Sequence, residues 1–152
     1  MRIARLLLVA GVTVLLSLAG CLSVARLSDL PADSQSADID NTSEDTKYGR
    51  FEHTFSIQGV SKQVVFDSTQ VALKQEGFQI ASADYDKGCV QGERGLRANE
   101  WGMVSGVYLH EADNQVKGKV ICIITQDITG GWHQSYAENI ANRIERLVAM
   151  SR

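Results

Sequence analysis

The chain has 152 residues, 44% of them hydrophobic and 22% charged, with one proline and a formal net charge of −3. That size suits a single modest domain, and the balance excludes both a disordered acidic tail and a Pro-rich stalk. Residues 1–20 carry Arg2 and Arg5; without them 13 Lys and Arg stand against 18 Asp and Glu, so counterion release offers little gain and no nucleic-acid partner is expected.

The first five residues, Met1-Arg2-Ile3-Ala4-Arg5, are short and basic. An unbroken apolar or small stretch, Leu6 to Leu16, follows, and then Leu18-Ala19-Gly20-Cys21. Basic, apolar, then small is the plan of a secretory signal. The apolar run ends at Gly20, short of the length a membrane span prefers. Leu18-Ala19-Gly20-Cys21 resembles the bacterial lipobox. That resemblance implies cleavage between Gly20 and Cys21, a diacylglyceryl group on the Cys21 thiol and an N-acyl chain on its freed amino group. No other cofactor is expected. Two or three acyl chains hold a protein stably where one is marginal. Leu22 stands where an inner-membrane retention signal resembling that of enteric lipoproteins has Asp. The implied location is the periplasmic face of the outer membrane.

Residues 22–48 contain much Ser, Asp, Ala and Thr and few large apolar groups, with Asp29, Asp33, Asp38, Asp40, Glu44 and Asp45 making them acidic. Such a stretch buries too little surface to offset its ordering entropy, so a flexible tether is expected. Its reach is roughly 30 Å as a coil and at most about 90 Å stretched. The organisation is thus a signal peptide over 1–20, a lipidated Cys with its tether over 21–48, and a periplasmic domain over 49–152.

From Phe51 the pattern changes. Phe51, His53, Phe55 and Ile57 alternate with polar residues, a strand with one buried face, which Gly59 ends. Ser61 suits a helix N-cap, with Val60 and Val65 spaced for a hydrophobic staple. Val65, Phe66, Thr69, Ala72 and Leu73 form the apolar stripe of a helix, and Gly77 sits at its terminator position. A second strand starts at Phe78, with Ile80 and Ser82. Asp84 to Gly88 reads as a hairpin loop closing on a left-handed Gly. A third strand covers about Cys89 to Arg94, a fourth Met103 to Glu111, and a fifth Val116 to Gln126. A two-residue Asp113-Asn114 turn between the last two sets Val107 opposite Val120 and Ser105 opposite Cys122. The inner face then holds Met103, Val107, Leu109, Val116, Val120, Cys122 and Ile124. The last helix carries Tyr136, Ala137, Ile140, Ala141, Ile144, Leu147 and Val148 on one side, with Asn139, Asn142, Arg143 and Arg146 towards water.

Strand, helix, four strands, helix predicts an α+β two-layer sandwich: an antiparallel five-stranded sheet, order 1-5-4-3-2, with both helices on one face. The string resembles the TBP-like or helix-grip arrangement and the repeated domains of the outer-membrane assembly lipoprotein BamC. The resemblance is one of fold over residues 51–150 and brings no catalytic residues with it.

The candidate chemistry is sparse. No Ser-His-Asp or paired-carboxylate pattern is visible, so no enzymatic activity is expected. His53, His110 and His133 lack the spacing of a metal site. A Cys89–Cys122 disulfide suits an oxidising compartment. The register nevertheless sets the two on opposite faces with a strand between, about 10 Å apart, so free thiols are the favoured reading. Trp101 and Trp132 follow loops and suit either partner contact or plugging of the core ends. The outer sheet face is more suggestive: Val104, Tyr108, Ile121 and Ile123 are apolar where solvent is expected, bordered by Lys117 and Lys119. Either they form a partner surface, or strand propensity alone placed them there. The leading expectation is a non-enzymatic, membrane-tethered binding or scaffold module with an envelope protein partner. The alternative is a carrier of a small apolar ligand between helices and sheet.

Overall fold

The computed structural model describes residues 25–41, 49–95, 102–124 and 135–152. Within them lie β1 (Arg50–Gln58), α1 (Lys62–Gln75), β2 (Gln79–Asp84), β3 (Cys89–Arg94), β4 (Met103–Ala112), β5 (Gln115–Ile124) and α2 (Ser135–Met150). The strands form one antiparallel sheet in the order β1-β5-β4-β3-β2, and both helices pack on one face. The predicted fold class and strand order are those observed.

The local reasons are chemical. Asp113 and Asn114 both take positive φ, 52° and 59°, as a two-residue turn matching the strand twist requires. That turn fixes the register, with Val107 opposite Val120 and Ser105 opposite Cys122. Helix α1 ends in a left-handed Gly77 at φ 85°. The amide of Phe78 donates to Leu73 O at 2.9 Å and that of Gly77 to Lys74 O at 3.0 Å, which satisfies two carbonyls the helix end leaves open. The Asp84–Gly88 loop closes as expected, the Lys87 amide donating to Asp84 Oδ1 at 3.0 Å. One feature is additional: a bulge between Ile80 and Ser82 in the edge strand β2. It breaks the regularity of an exposed edge that another chain would otherwise pair with.

The main core lies between sheet and helices. Val65, Phe66, Ala72 and Leu73 of α1 and Ala137, Ile140, Ala141, Ile144 and Val148 of α2 meet Phe51, Phe55, Ile57, Val107, Val120 and Cys122. Thr69 is buried in the same stripe, its hydroxyl donating back to Val65 O at 2.8 Å. Arg143, expected to face water, instead ties the helices together: its Nε lies 2.6 Å from Glu76 Oε1 and its Nη1 donates to Gln75 Oε1 at 3.1 Å.

Candidate functional site

A second apolar cluster occupies the outer face of the sheet. Cys89, Val104, Tyr108 and Ile121 pack there against Leu30 and Ala37, with Ala25, Leu27, Ile39 and Ile123 around them. Among the described residues the covering side chains come from 25–41, which form a strap across β3, β4 and β5. This corrects two expectations. Residues 25–41 of the expected flexible tether belong to the folded domain. The expected partner surface is also largely inside: Tyr108 and Ile121 are fully buried, Val104 is 4% and Lys119 3% exposed, and Ile123 is half-buried. Only Lys117 stays at the margin.

The strap is ordered by the residues that suggested disorder. Its Ser, Asp and Asn side chains close local turns. The Ser36 amide donates to Asp33 Oδ1 at 2.8 Å, and the Ser36 hydroxyl to the same oxygen at 2.6 Å. The Arg26 amide donates to Asp29 Oδ2 at 2.8 Å, and Asn41 Nδ2 to Asp38 Oδ2 at 2.9 Å. The Ser36 bonds hold the exposed Asp33 carboxyl below the usual carboxylate range. Leu30 and Ala37 then plug the sheet.

The sheet grips the strap mainly by its main-chain carbonyls. Tyr108 Oη and Gln91 Nε2 each donate to Pro31 O at 2.8 Å. The Tyr108 ring can lie along the sheet because Gly106 has no side chain; a Cβ there would meet ring carbons at 2.8 Å. Burial pushes the Tyr108 phenol well above its ordinary range, so it stays a donor. The Ser34 amide donates to Lys87 O at 3.1 Å. At the far end, Lys119 Nζ donates to Asn41 O at 2.8 Å and Asp38 O at 3.3 Å, and lies 2.8 Å from Glu52 Oε2. Arg50 Nε holds the other Glu52 oxygen at 2.7 Å. Burial raises the Glu52 pKa, but the bonds from Lys119 and Arg50 outweigh it and leave the carboxyl below its ordinary value. Lys117 pairs with the exposed Asp40 at 2.6 Å. Sequence reasoning placed Lys119 at the rim of an apolar patch and left Glu52 as one of the polar residues alternating with the buried face of the first strand. The available signal was the coincidence of an acidic segment with a sheet face carrying lysines among apolar residues.

Two cavities of about 300 Å³ each flank the strap. One lies beside Ala25, Gln79, Glu93, Arg94 and Met103, the other beside Ile39, Asp40, Thr54, Ser56 and Lys117. Arg94, on the inner face, is stacked between the rings of Phe78 and Tyr136 at 5.1 and 5.4 Å and donates to Glu76 O at 3.3 Å. Cys89 and Cys122 are free thiols, one under the strap and one in the main core. Burial foremost pushes Cys89 up to about 11 and Cys122 up to about 12, which makes both poor nucleophiles at neutral pH. His53 is half-buried on β1 and His110 exposed on β4. Among the described residues no group of three His, Cys, Asp or Glu is placed to hold a metal. Gly20, Cys21, Trp101, Trp132 and His133 lie outside the described residues.

The fold and site together define a two-layer α+β sandwich whose outer sheet face is sealed by the chain's own N-terminal strap. No protein-family profile matches the chain, and no curated protein matches it. Among solved structures the chain is similar to Ara h 8.0201, with 17% identity, 65% of this chain and 99% of that one covered, and a TM-score of 0.43. It is similar to TTHA0849 from Thermus thermophilus, with 9% identity, 67% and 98% covered, and a TM-score of 0.41. It is also similar to a TBP-like protein from Parabacteroides distasonis, with 12% identity, 68% and 91% covered, and a TM-score of 0.33. The fold class rests on strand order, register and layering in this chain, and nothing of function is carried over from these three.

Proposed function

We propose that the chain is a lipid-anchored module of the bacterial envelope, held at the periplasmic face of the outer membrane through acyl chains on Cys21. It acts there as a non-enzymatic binding or scaffold domain for an envelope protein, in envelope assembly. The observation that carries the reading is Leu18-Ala19-Gly20-Cys21 behind a basic start and an apolar run. The buried, weakly acidic thiols support a role without nucleophilic chemistry. A carrier of a small apolar ligand needs room between helices and sheet. The two cavities described above lie beside the strap, and among the described residues the space between helices and sheet is filled by apolar side chains, so the scaffold reading comes first.

Replacing Cys21 tests the anchor. Cys21→Ser is expected to accumulate as an uncleaved precursor or a soluble form, without acyl chains in the mass of its N-terminal peptide. A variant that still fractionates as a mature, acylated membrane protein rules the anchor out. For the scaffold role, crosslinking in intact envelopes is expected to recover the same envelope protein repeatedly. Recovery of none counts against it.

A further inference from the structure

We propose that residues 25–41 are a releasable strap that gives the anchored domain two standing distances from the membrane, an inference that rests on lipid anchorage at Cys21. With the strap seated, only the chain from Cys21 to Ala25 separates lipid from fold, at most about 14 Å when fully extended. With the strap released, the covalent path from lipid to sheet runs from Cys21 to Gly49, and its contour sets a limit of about 95 Å.

Three observations make release a local event. First, the helix-side core contains no strap residue; strap side chains enter only the outer cluster. The sheet and its helices therefore lose nothing on their inner face when the strap leaves. Second, the sheet groups that grip the strap keep partners of their own. Lys119 retains Glu52 at 2.8 Å, Glu52 retains Arg50 at 2.7 Å, and Gln91 Nε2 retains the Tyr108 hydroxyl at 3.3 Å. Third, the turns inside the strap are closed by its own side chains, so its polar groups remain served after it lifts off. What release exposes is the outer cluster, including the thiol of Cys89, which among the described residues is covered on that face by the strap. Cys122 stays in the helix-side core.

The two thiols report the event. Full-length protein is purified into phospholipid vesicles and treated with a small maleimide, and labelling of Cys89 and Cys122 is followed by peptide mass spectrometry. Local release predicts that Cys89 labels at least tenfold faster than Cys122. Tyr108→Phe removes one hydrogen bond to Pro31 O but keeps the ring; it is expected to speed Cys89 severalfold and leave Cys122 unchanged. Equal rates at the two thiols in both proteins mean the strap opens only with the whole fold, and overturn the proposal. The same spectra read the Cys21 peptide. An unacylated Cys21 with a fast Cys89 overturns the membrane role at its foundation, whereas an acylated Cys21 with a slow Cys89 leaves the anchor standing and removes the strap's release alone.

Discussion

Tyr108 shows how one side chain joins distant parts of this chain. Its ring needs Gly106 beneath it, and its hydroxyl reaches Pro31 O, 77 positions upstream. Because Gln91 also donates to that carbonyl, Tyr108→Phe is expected to cost only about 1 kcal/mol in urea unfolding. Ile121→Ser removes a fully buried side chain and sets a hydroxyl in an apolar site, so a loss of about 3 kcal/mol or more is expected in the same measurement. The Glu52–Lys119 pair carries a pH dependence. The carboxyl of Glu52 is held below its unfolded value, so its stabilisation is present above about pH 4.3 and is lost as pH falls through the lower, folded value. Glu52→Gln leaves Lys119 buried without its counter-charge and is expected to cost about 3 kcal/mol at pH 7. Unfolding curves of variant and parent at pH 7 and pH 3 check this, the gap between them narrowing at the lower pH.

The strap and the strands differ in how openly they are written. The β4–β5 hairpin is legible because its information is local: alternation over ten residues and a turn pair that tolerates positive φ. The strap is not, because its apolar content is thin and its burial partners come roughly 50 to 90 positions later. Averaged over residues 22–48, the composition resembles a spacer. What matters is that Leu30 and Ala37 sit on a segment whose Ser and Asp side chains close its turns. Lys119 and Glu52 were hidden for the same reason, since strand alternation says which face a residue takes but not what lies on that face. Leu30→Ala is expected to loosen the strap alone. Its cost should be about 2 kcal/mol, and deuterium uptake should rise over residues 25–41 while the amides of α1 and β5 stay protected.

With the strap in place the domain has three layers: helices, sheet and strap. An antiparallel sheet commonly leaves one face to water, and here the middle of the outer face, around Cys89, Val104, Tyr108 and Ile121, is dry. Cys89 and Cys122 therefore occupy separate interiors on either side of one sheet. No disulfide between them is expected: the domain should migrate identically with and without reductant, and mass spectrometry should find both thiols unlinked. Among the described residues the large apolar side chains that do face solvent, Val71, Tyr85 and Met150, sit on three different parts of the fold. The order of elements and their layering followed from the sequence; the inclusion of residues 25–41 in the domain did not, because it depends on contacts that close only in three dimensions.

The long separation between the strap and its seat also sets a sequence of events. Asp38 and Asn41 are held by Lys119, 81 and 78 positions downstream, and Pro31 by Tyr108. Contacts so far apart along the chain form late, after nearer ones have closed their loops. Refolding from urea should accordingly protect Cys122 before Cys89. For a chain that emerges N-terminus first, β4 and β5 must follow before the strap has anywhere to bind. Docking of the strap is therefore the closing step of folding, and the outer cluster is the last interior to be covered.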